Sequence, residues 1–421
     1  MNETTKNEIK HTMTPDKSKS NTKHTAQLWL RSLGPGLVTA ALVFGPSKMT
    51  ITSKLGADYG FQLLWIVVIA TFFMIIFTGM TNRIGLSTTK SLLHIIRERW
   101  GKGISVAVGL GVFFVATSFQ SGNAVGVGIS IAEINGTSAT PWIILFTIIG
   151  IGLLFLKDLY KVLEKLMIVM IVLMLFAFVT TLFFIKPDIT GIVDGFIPRI
   201  PSESVGLVIA FFASCFSIVG AFYQAYLVQE KRKLRTSPDQ HGNSNIIGIL
   251  LLGFMSAMVM IAAAAVLHAD GITVTNALDM AKALEPIFGG YASYIFLLGL
   301  FGASFSSLIG NATIGGTLLG DAFGISRALD TKVIRFFIAL VMVIGSVIAI
   351  VFGKMPLELI VMAQSVTIFL VPFIGIAIYL ISSDPRIMGY QVNNTVTKIW
   401  GIIGLMILIL LAVRNLQELF F

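Results

Sequence analysis

Residues 33–60 read LGPGLVTAALVFGPSKMTITSKLGADYG, an apolar segment interrupted near its middle by Phe44-Gly45-Pro46-Ser47-Lys48. Proline cannot donate a backbone hydrogen bond, so beside a glycine it ends one half-helix and lets a second begin at Ser47. In lipid such a break is tolerated only where the freed backbone groups face protein or a water-filled cavity, and transporters build their substrate sites from breaks of this kind near the bilayer midplane. The segment therefore predicts a discontinuous membrane helix with the functional site at its gap. Its unusual member is Lys48, a cation in the first turn of the second half-helix whose nearest acid in sequence, Asp58, lies about three turns further on.

Composition sets the class independently. Of 421 residues, 55% are hydrophobic and 12% charged, against roughly 25% charged in an ordinary soluble domain, so the chain reads as an all-α integral membrane protein. The net charge of +9 does not point to nucleic acid, because the Lys and Arg residues fall in short loops between apolar spans. The single cysteine, Cys215, lies inside an apolar run, and no CxxC or Cys/His cluster implies redox or zinc chemistry. Residues 1–28 are polar and lysine-bearing and read as a disordered cytoplasmic tail rather than a signal peptide.

From there, 29–415 reads as a single transmembrane domain of eleven apolar spans near 33–58, 61–83, 103–133, 141–157, 160–185, 204–229, 245–268, 288–322, 332–352, 356–381 and 396–415. With the N-terminus inside, one side collects Arg83, Lys90, Arg97, Arg99, Lys102, Lys157, Lys161, Lys165, Lys231, Arg232, Lys233, Arg235, Arg327, Lys332, Arg335, Arg386 and Lys398. The other side has only Lys186, Arg199, Lys282, Lys354 and Arg414. This is the positive-inside bias, and it would scramble if one span were miscounted. Residues 88–100 mix Leu92, Leu93, Ile95 and Ile96 with charges, as in a short amphipathic helix on the membrane surface. The sixth span has Gly220, Tyr223 and Gln224 near its middle, which fit a second break opposite the first, or a glycine for close packing beside an interfacial tyrosine.

The stretch GPGLVTAALVFGPSKMTITSKLGADYGFQLLW resembles the opening of the Nramp family of proton-coupled divalent-metal transporters, in which a GPG precedes a DPGN break. The eighth-span LFGASFSSLIGNATIGGTLLGDAFG, with its Ser-Ser pair, and the tenth-span MAQSVTIFLVPF are similar to that family's corresponding segments. The resemblance covers nearly all of 33–415 and implies a LeuT-like fold with discontinuous first and sixth helices. Its plan is two inverted five-helix repeats at about 33–185 and 204–382, with 396–415 as an extra helix. Its departures lie at the metal site. Asp-Pro-Gly-Asn is replaced by Gly45-Pro46-Ser47-Lys48. A Met followed by Pro-His-Asn aligns with Ala221, Phe222, Tyr223 and Gln224, and the third-span acidic pair aligns with Gln120 and Asn123. Only Gln364 is retained of the expected polar ligands.

The remaining acids agree with that subtraction. Asp58, Glu133, Glu230, Asp321 and Glu358 fall at span ends or in loops, and the five histidines, His11, His24, His94, His241 and His268, fall outside span interiors. Divalent metals are held by carboxylate, carbonyl, imidazole or thioether ligands and are repelled by a cation. A buried ammonium instead deprotonates, reaches water or meets an anion, and a half-helix N-terminus already favours negative charge.

The expected cargo is a small inorganic oxyanion such as bicarbonate, held by Ser47, Lys48, Tyr223, Gln224 and Gln364. The resemblance to Nramp-like branches that have lost the metal ligands points to the same cargo. Moving one charge across the bilayer costs ~2.3 kcal/mol per 100 mV, and embedded acids to relay protons are missing, so Na⁺ is the expected symported ion. The resemblance to LeuT-like folds implies a Na⁺ site at Val43, Phe44, Ser306 and Ser307. The alternatives are a divalent cation (Mn²⁺ or Mg²⁺) carried by ligands not evident in the sequence, a small organic solute coupled to protons through Lys48, and a scaffold that carries nothing. An enzyme is excluded, since no nucleophile with a base, nucleotide loop or cofactor motif is present. The expected surroundings are the lipid bilayer of the plasma membrane, crossed many times; the oligomeric state stays open.

Overall fold

The computed structural model describes residues 44–216, 218–233, 241–352 and 356–420. Their regular structure is helical throughout: α1 (Pro46–Tyr59), α2 (Leu64–Ser87), α3 (Leu92–Trp100), α4 (Lys102–Asn135), α5 (Ala139–Leu153), α6 (Lys157–Ile185), α7 (Val205–Phe216), α8 (Ile218–Lys233), α9 (His241–Ala263), α10 (Ala292–Phe323), α11 (Lys332–Val351), α12 (Pro356–Thr367), α13 (Val371–Ser382) and α14 (Thr395–Phe420). A π-helical turn, Ala264–His268, continues α9.

Eight helices among the described residues are long and apolar enough to cross a membrane, or nine when α12 and α13 are joined as one bent span. The other two expected spans correspond to α5, a 15-residue apolar helix, and α1, the second half of the interrupted first helix. Both fall short of a full crossing by length, so the count of eleven is not reached on length alone. The first half of that helix, with Val43, and the N-terminal tail lie outside the described residues. In the sixth span, Gly220 lies within α8, and Ser217, between the described stretches α7 and α8, lies outside the described residues.

An interruption that the sequence reading did not anticipate occurs in the tenth span, where α12 and α13 meet at 41°. Its linker is drawn tight by i→i+3 bonds: the Ile368, Phe369 and Leu370 N–H groups donate to the Ser365, Val366 and Thr367 carbonyls at 3.2, 3.4 and 3.1 Å.

Basic residues distant in sequence converge on one end of the bundle, as the charge bias requires. Arg83 donates to Asn393 Oδ1 at 2.7 Å and Arg327 to Gln229 Oε1 at 2.9 Å. Arg232 donates to the Leu86 carbonyl at 2.8 Å, Arg99 pairs with Asp384, and Arg97 donates to the carbonyls of Asp321 and Ala322 at the C-terminus of α10, where a cation also complements the helix dipole. Here α3 lies on the bundle with Leu92, Leu93, Ile95 and Ile96 buried, the apolar side expected of an amphipathic helix.

The buried residues form two apolar clusters. One is drawn mainly from α4, α6, α9, α10 and α11, the other mainly from α2, α3, α7, α8, α13 and α14, and α2, α4, α9 and α10 contribute to both. α1 also contributes to both: Met49 and Ala57 pack in the first, Ile51 and Leu55 in the second. Its contact with α9 is close, for a Cβ added at Gly56 would lie 2.3 Å from the Met260 carbonyl oxygen.

Gly56→Ala should therefore lower the thermal stability of the detergent-solubilised protein by about 1–3 kcal/mol, the usual cost of overpacking. Gly79→Ala on α2, where an added Cβ meets nothing within 4 Å, should not lower it. Equal melting of Gly56→Ala and wild type would show that α1 does not depend on this approach.

Candidate functional site

Gly45 caps α1 with extended backbone (φ −82°, ψ −179°) and no side chain to bond the first turn, and Pro46 is the first helical residue. The Lys48 and Met49 N–H groups both donate to the Gly45 carbonyl, at 3.1 and 3.3 Å. With Pro46 lacking an N–H, the start of α1 is less a ring of amides awaiting an anion than the sequence suggests.

The gap is covered by small residues. A Cβ built on Gly122 of α4 would lie 3.0 Å from Ser47 Oγ, and one on Gly126 would lie 2.6 Å from Pro46 Cβ and 2.3 Å from Ser304 Oγ. Only glycine lets α4 approach the break this closely. From the other direction, a Cβ on Gly45 would lie 3.0 Å from Ser307 Oγ on α10 and 3.3 Å from Asn123 Oδ1 on α4. The interrupted backbone thus rests against the α4–α10 pair, where the two clusters meet.

Four elements place polar groups here. Gln364, in α12 just before the tenth-span bend, donates from Nε2 to Ser47 Oγ at 2.9 Å. Because that oxygen accepts from Gln364, the Ser47 O–H is available as a donor. Gln120 donates from Nε2 to the Leu308 carbonyl at 2.7 Å, and Asn123 Nδ2 approaches Gln120 Oε1 at 3.4 Å. Ser304, Ser306 and Ser307 are all buried in α10. Lys48 is 2% exposed and lies wholly inside the protein, which excludes a snorkelling role at the membrane surface. Among the described residues no group of three or more His, Cys, Asp or Glu could hold a metal ion.

Thus Gly45, Pro46, Ser47, Asn123, Ser307 and Gln364 come together around the gap, with Phe44 buried beside it. Ala221, Tyr223 and Gln224 lie on α8. The Tyr223 ring stacks on Tyr226 with centroids 5.9 Å apart, and Tyr226 donates to Asp321 Oδ2 at 2.6 Å. The Tyr223 ring contact thus runs along its own helix. Gly122, Gly126 and Ser304 were missed by residue-type reasoning, although the spacing of small residues along α4 is the pattern that permits close helix packing.

The Nramp family profile, described as natural resistance-associated macrophage protein-like, matches residues 36–418. The divalent metal cation transporter MntH of Erwinia tasmaniensis is 25% identical over 387 residues, covering 88% of this chain and 90% of that protein. A solved manganese transporter of Eremococcus coleocola superposes with a TM-score of 0.75 at 18% identity, covering 92% of this chain and 87% of that one. MHP1, a nucleobase–cation–symport-1 family transporter in a closed conformation, superposes at 0.55 with 12% identity and 92% coverage of both chains.

Removing either partner of the Ser47–Gln364 bond strands a buried polar group. Gln364→Leu and Ser47→Ala should each cost about 1–3 kcal/mol, and the double variant should lose less than their sum, with a coupling of roughly 0.5–3 kcal/mol. Denaturant titration of the detergent-solubilised variants reads this directly; strictly additive losses would mean that the bond does not hold α1 to α12.

Proposed function

The chain belongs to the Nramp family, and on that premise we propose that it is a secondary transporter whose cargo is a small inorganic anion such as bicarbonate, moved with Na⁺. The observation that carries this reading is Lys48: its side chain is 2% exposed and belongs to the first turn of a half-helix at the family's central break, in a bundle whose helices also bury Gln120, Asn123, Ser304, Ser306, Ser307 and Gln364. A dehydrated divalent ion within about 4 Å of an ammonium is opposed by roughly 8 kcal/mol at an effective dielectric of 20, whereas an oxyanion is attracted by the same group. Ser47 and the Gln364 amide add neutral donors, and the positive end of α1 favours the same sign. For Na⁺, Ser306 and Ser307 with the backbone around Phe44 supply hard oxygen ligands; Val43 would complete the set.

The rest of the arrangement follows the family. We assign the chain to the plasma membrane with the basic end of the bundle cytoplasmic, and the two inverted repeats to about 33–185 and 204–382.

A second reading has its own support. The relatives carry names that specify divalent metal or manganese transport, and those names favour a divalent cation over an anion. Carriage of Mn²⁺ or Mg²⁺ here would require Lys48 to be neutral or turned from the ion, with neutral oxygens such as Gln364 Oε1 and Asn123 Oδ1 as ligands.

Uptake into proteoliposomes distinguishes the two. Labelled bicarbonate should accumulate with an inward Na⁺ gradient and fall to background in Lys48→Asn and Lys48→Ala, with no accumulation of Mn²⁺ or Mg²⁺. Metal uptake by wild type, or bicarbonate uptake unaffected by both variants, would overturn the anion reading in favour of the second.

A further inference from the structure

We infer that Asn415, on the last helix α14, is a positioning residue for the gap: it holds the bend between α12 and α13 so that Gln364 reaches Ser47. The inference takes from the reading above only that cargo binds at the gap, whatever its charge, and it gives α14 a part in the site.

Along α14, Val413, Arg414, Leu416, Gln417 and Glu418 are exposed, while Asn415 among them is 3% exposed. A single amide turned inward from an outward-facing stretch requires a partner, because a buried polar group without one is destabilising. The Asn415 Nδ2 donates to the Ser365 carbonyl of α12 at 2.9 Å. α14 packs chiefly on α13, α2 and α7, so this bond reaches past its main contacts to the end of α12.

Ser365 stands where the bend begins. Its carbonyl also accepts from the Ile368 N–H, the donor that a continuous α-helix would give to the Gln364 carbonyl. The Gln364 carbonyl accepts instead from Thr367 Oγ1 at 2.7 Å. One residue earlier, the Ala363 carbonyl accepts from Ser118 Oγ of α4, also at 2.7 Å. Three successive carbonyls, at 363, 364 and 365, are thus each held by a side-chain donor, from α4, from α12 itself and from α14. An interrupted helix inside a bilayer has to find such donors within the protein.

Gln364 is the middle residue of the three, and its side chain donates to Ser47 Oγ at 2.9 Å. Its backbone is gripped by α4 on one side and by α14 on the other. A side chain meets a site in one geometry only when the groups that support it are themselves fixed. Without the Asn415 bond, the Ser365 carbonyl keeps only the Ile368 N–H, the bend loosens, and Gln364 Nε2 shifts relative to Ser47.

The test uses the full-length protein. In detergent, the Ser47→Ala and Gln364→Leu losses should couple by roughly 2–100-fold in the unfolding constant. In an Asn415→Leu background that coupling should shrink toward onefold, although the bond removed is to Ser365 and to neither partner. Asn415→Ala carries the same expectation where the leucine variant does not accumulate, and Asn415→Gln, which keeps an amide donor, should retain part of the coupling. In proteoliposomes, with labelled bicarbonate as the probe, Asn415→Leu should raise the half-saturating concentration about 2–10-fold, with a smaller change in maximal rate. A Ser47–Gln364 coupling equal to wild type in both Asn415→Leu and Asn415→Ala, with only thermal stability lowered, would mean that Asn415 packs α14 and does not position Gln364, which overturns the inference. If the coupling collapses but wild type takes up no bicarbonate, the positioning role stands and the anion reading falls.

Discussion

A backbone that leaves the helix inside a bilayer has to be covered by protein, because lipid offers its N–H and C=O groups no partners. At Gly45-Pro46 the cover is α4, whose Gly122 and Gly126 let the break approach within side-chain contact of Ser47 and Pro46, and α10, whose Ser304 and Ser307 meet it from the other side. The rest of the architecture serves that contact. α1 must leave the break as a helix packed between the two apolar clusters, sharing Met49 and Ala57 with one and Ile51 and Leu55 with the other.

What fills the gap follows from the sign of its charges. A scaffold of this family carries a buried lysine at its break, and among the described residues no group of three or more His, Cys, Asp or Glu could hold a metal ion. The relatives' metal-transport names pull the other way, and they belong to proteins that share one residue in four with this chain. At that distance the fold is shared, and the proposed cargo rests on the few positions at the break where this chain departs from the metal-binding pattern that the resemblance implies.

Much of this was legible in the sequence because the governing signals are local. Gly45-Pro46 marks the start of α1, the loop lysines and arginines fix which ends lie together, and Leu92, Leu93, Ile95 and Ile96 mark the buried side of α3. The rest depends on contacts between distant residues. The bond from Gln364 to Ser47 spans 317 positions, and the burial of Gln120 against the Leu308 carbonyl spans 188. Gly122 and Gly126 look like any glycines in an apolar run until the break is laid against them. The bend between α12 and α13 escaped notice for another reason: Pro372 sits in the first turn of α13, where proline is readily accommodated, so by itself it does not announce an interruption just before it.

The central claim is that the gap at Lys48 holds negative charge. Equilibrium binding of radiolabelled bicarbonate and radioactive manganese to the purified wild-type protein tests it without requiring transport. The account predicts saturable bicarbonate binding that excess unlabelled anion displaces, and no saturable manganese binding. Saturable manganese binding with none for bicarbonate would contradict it.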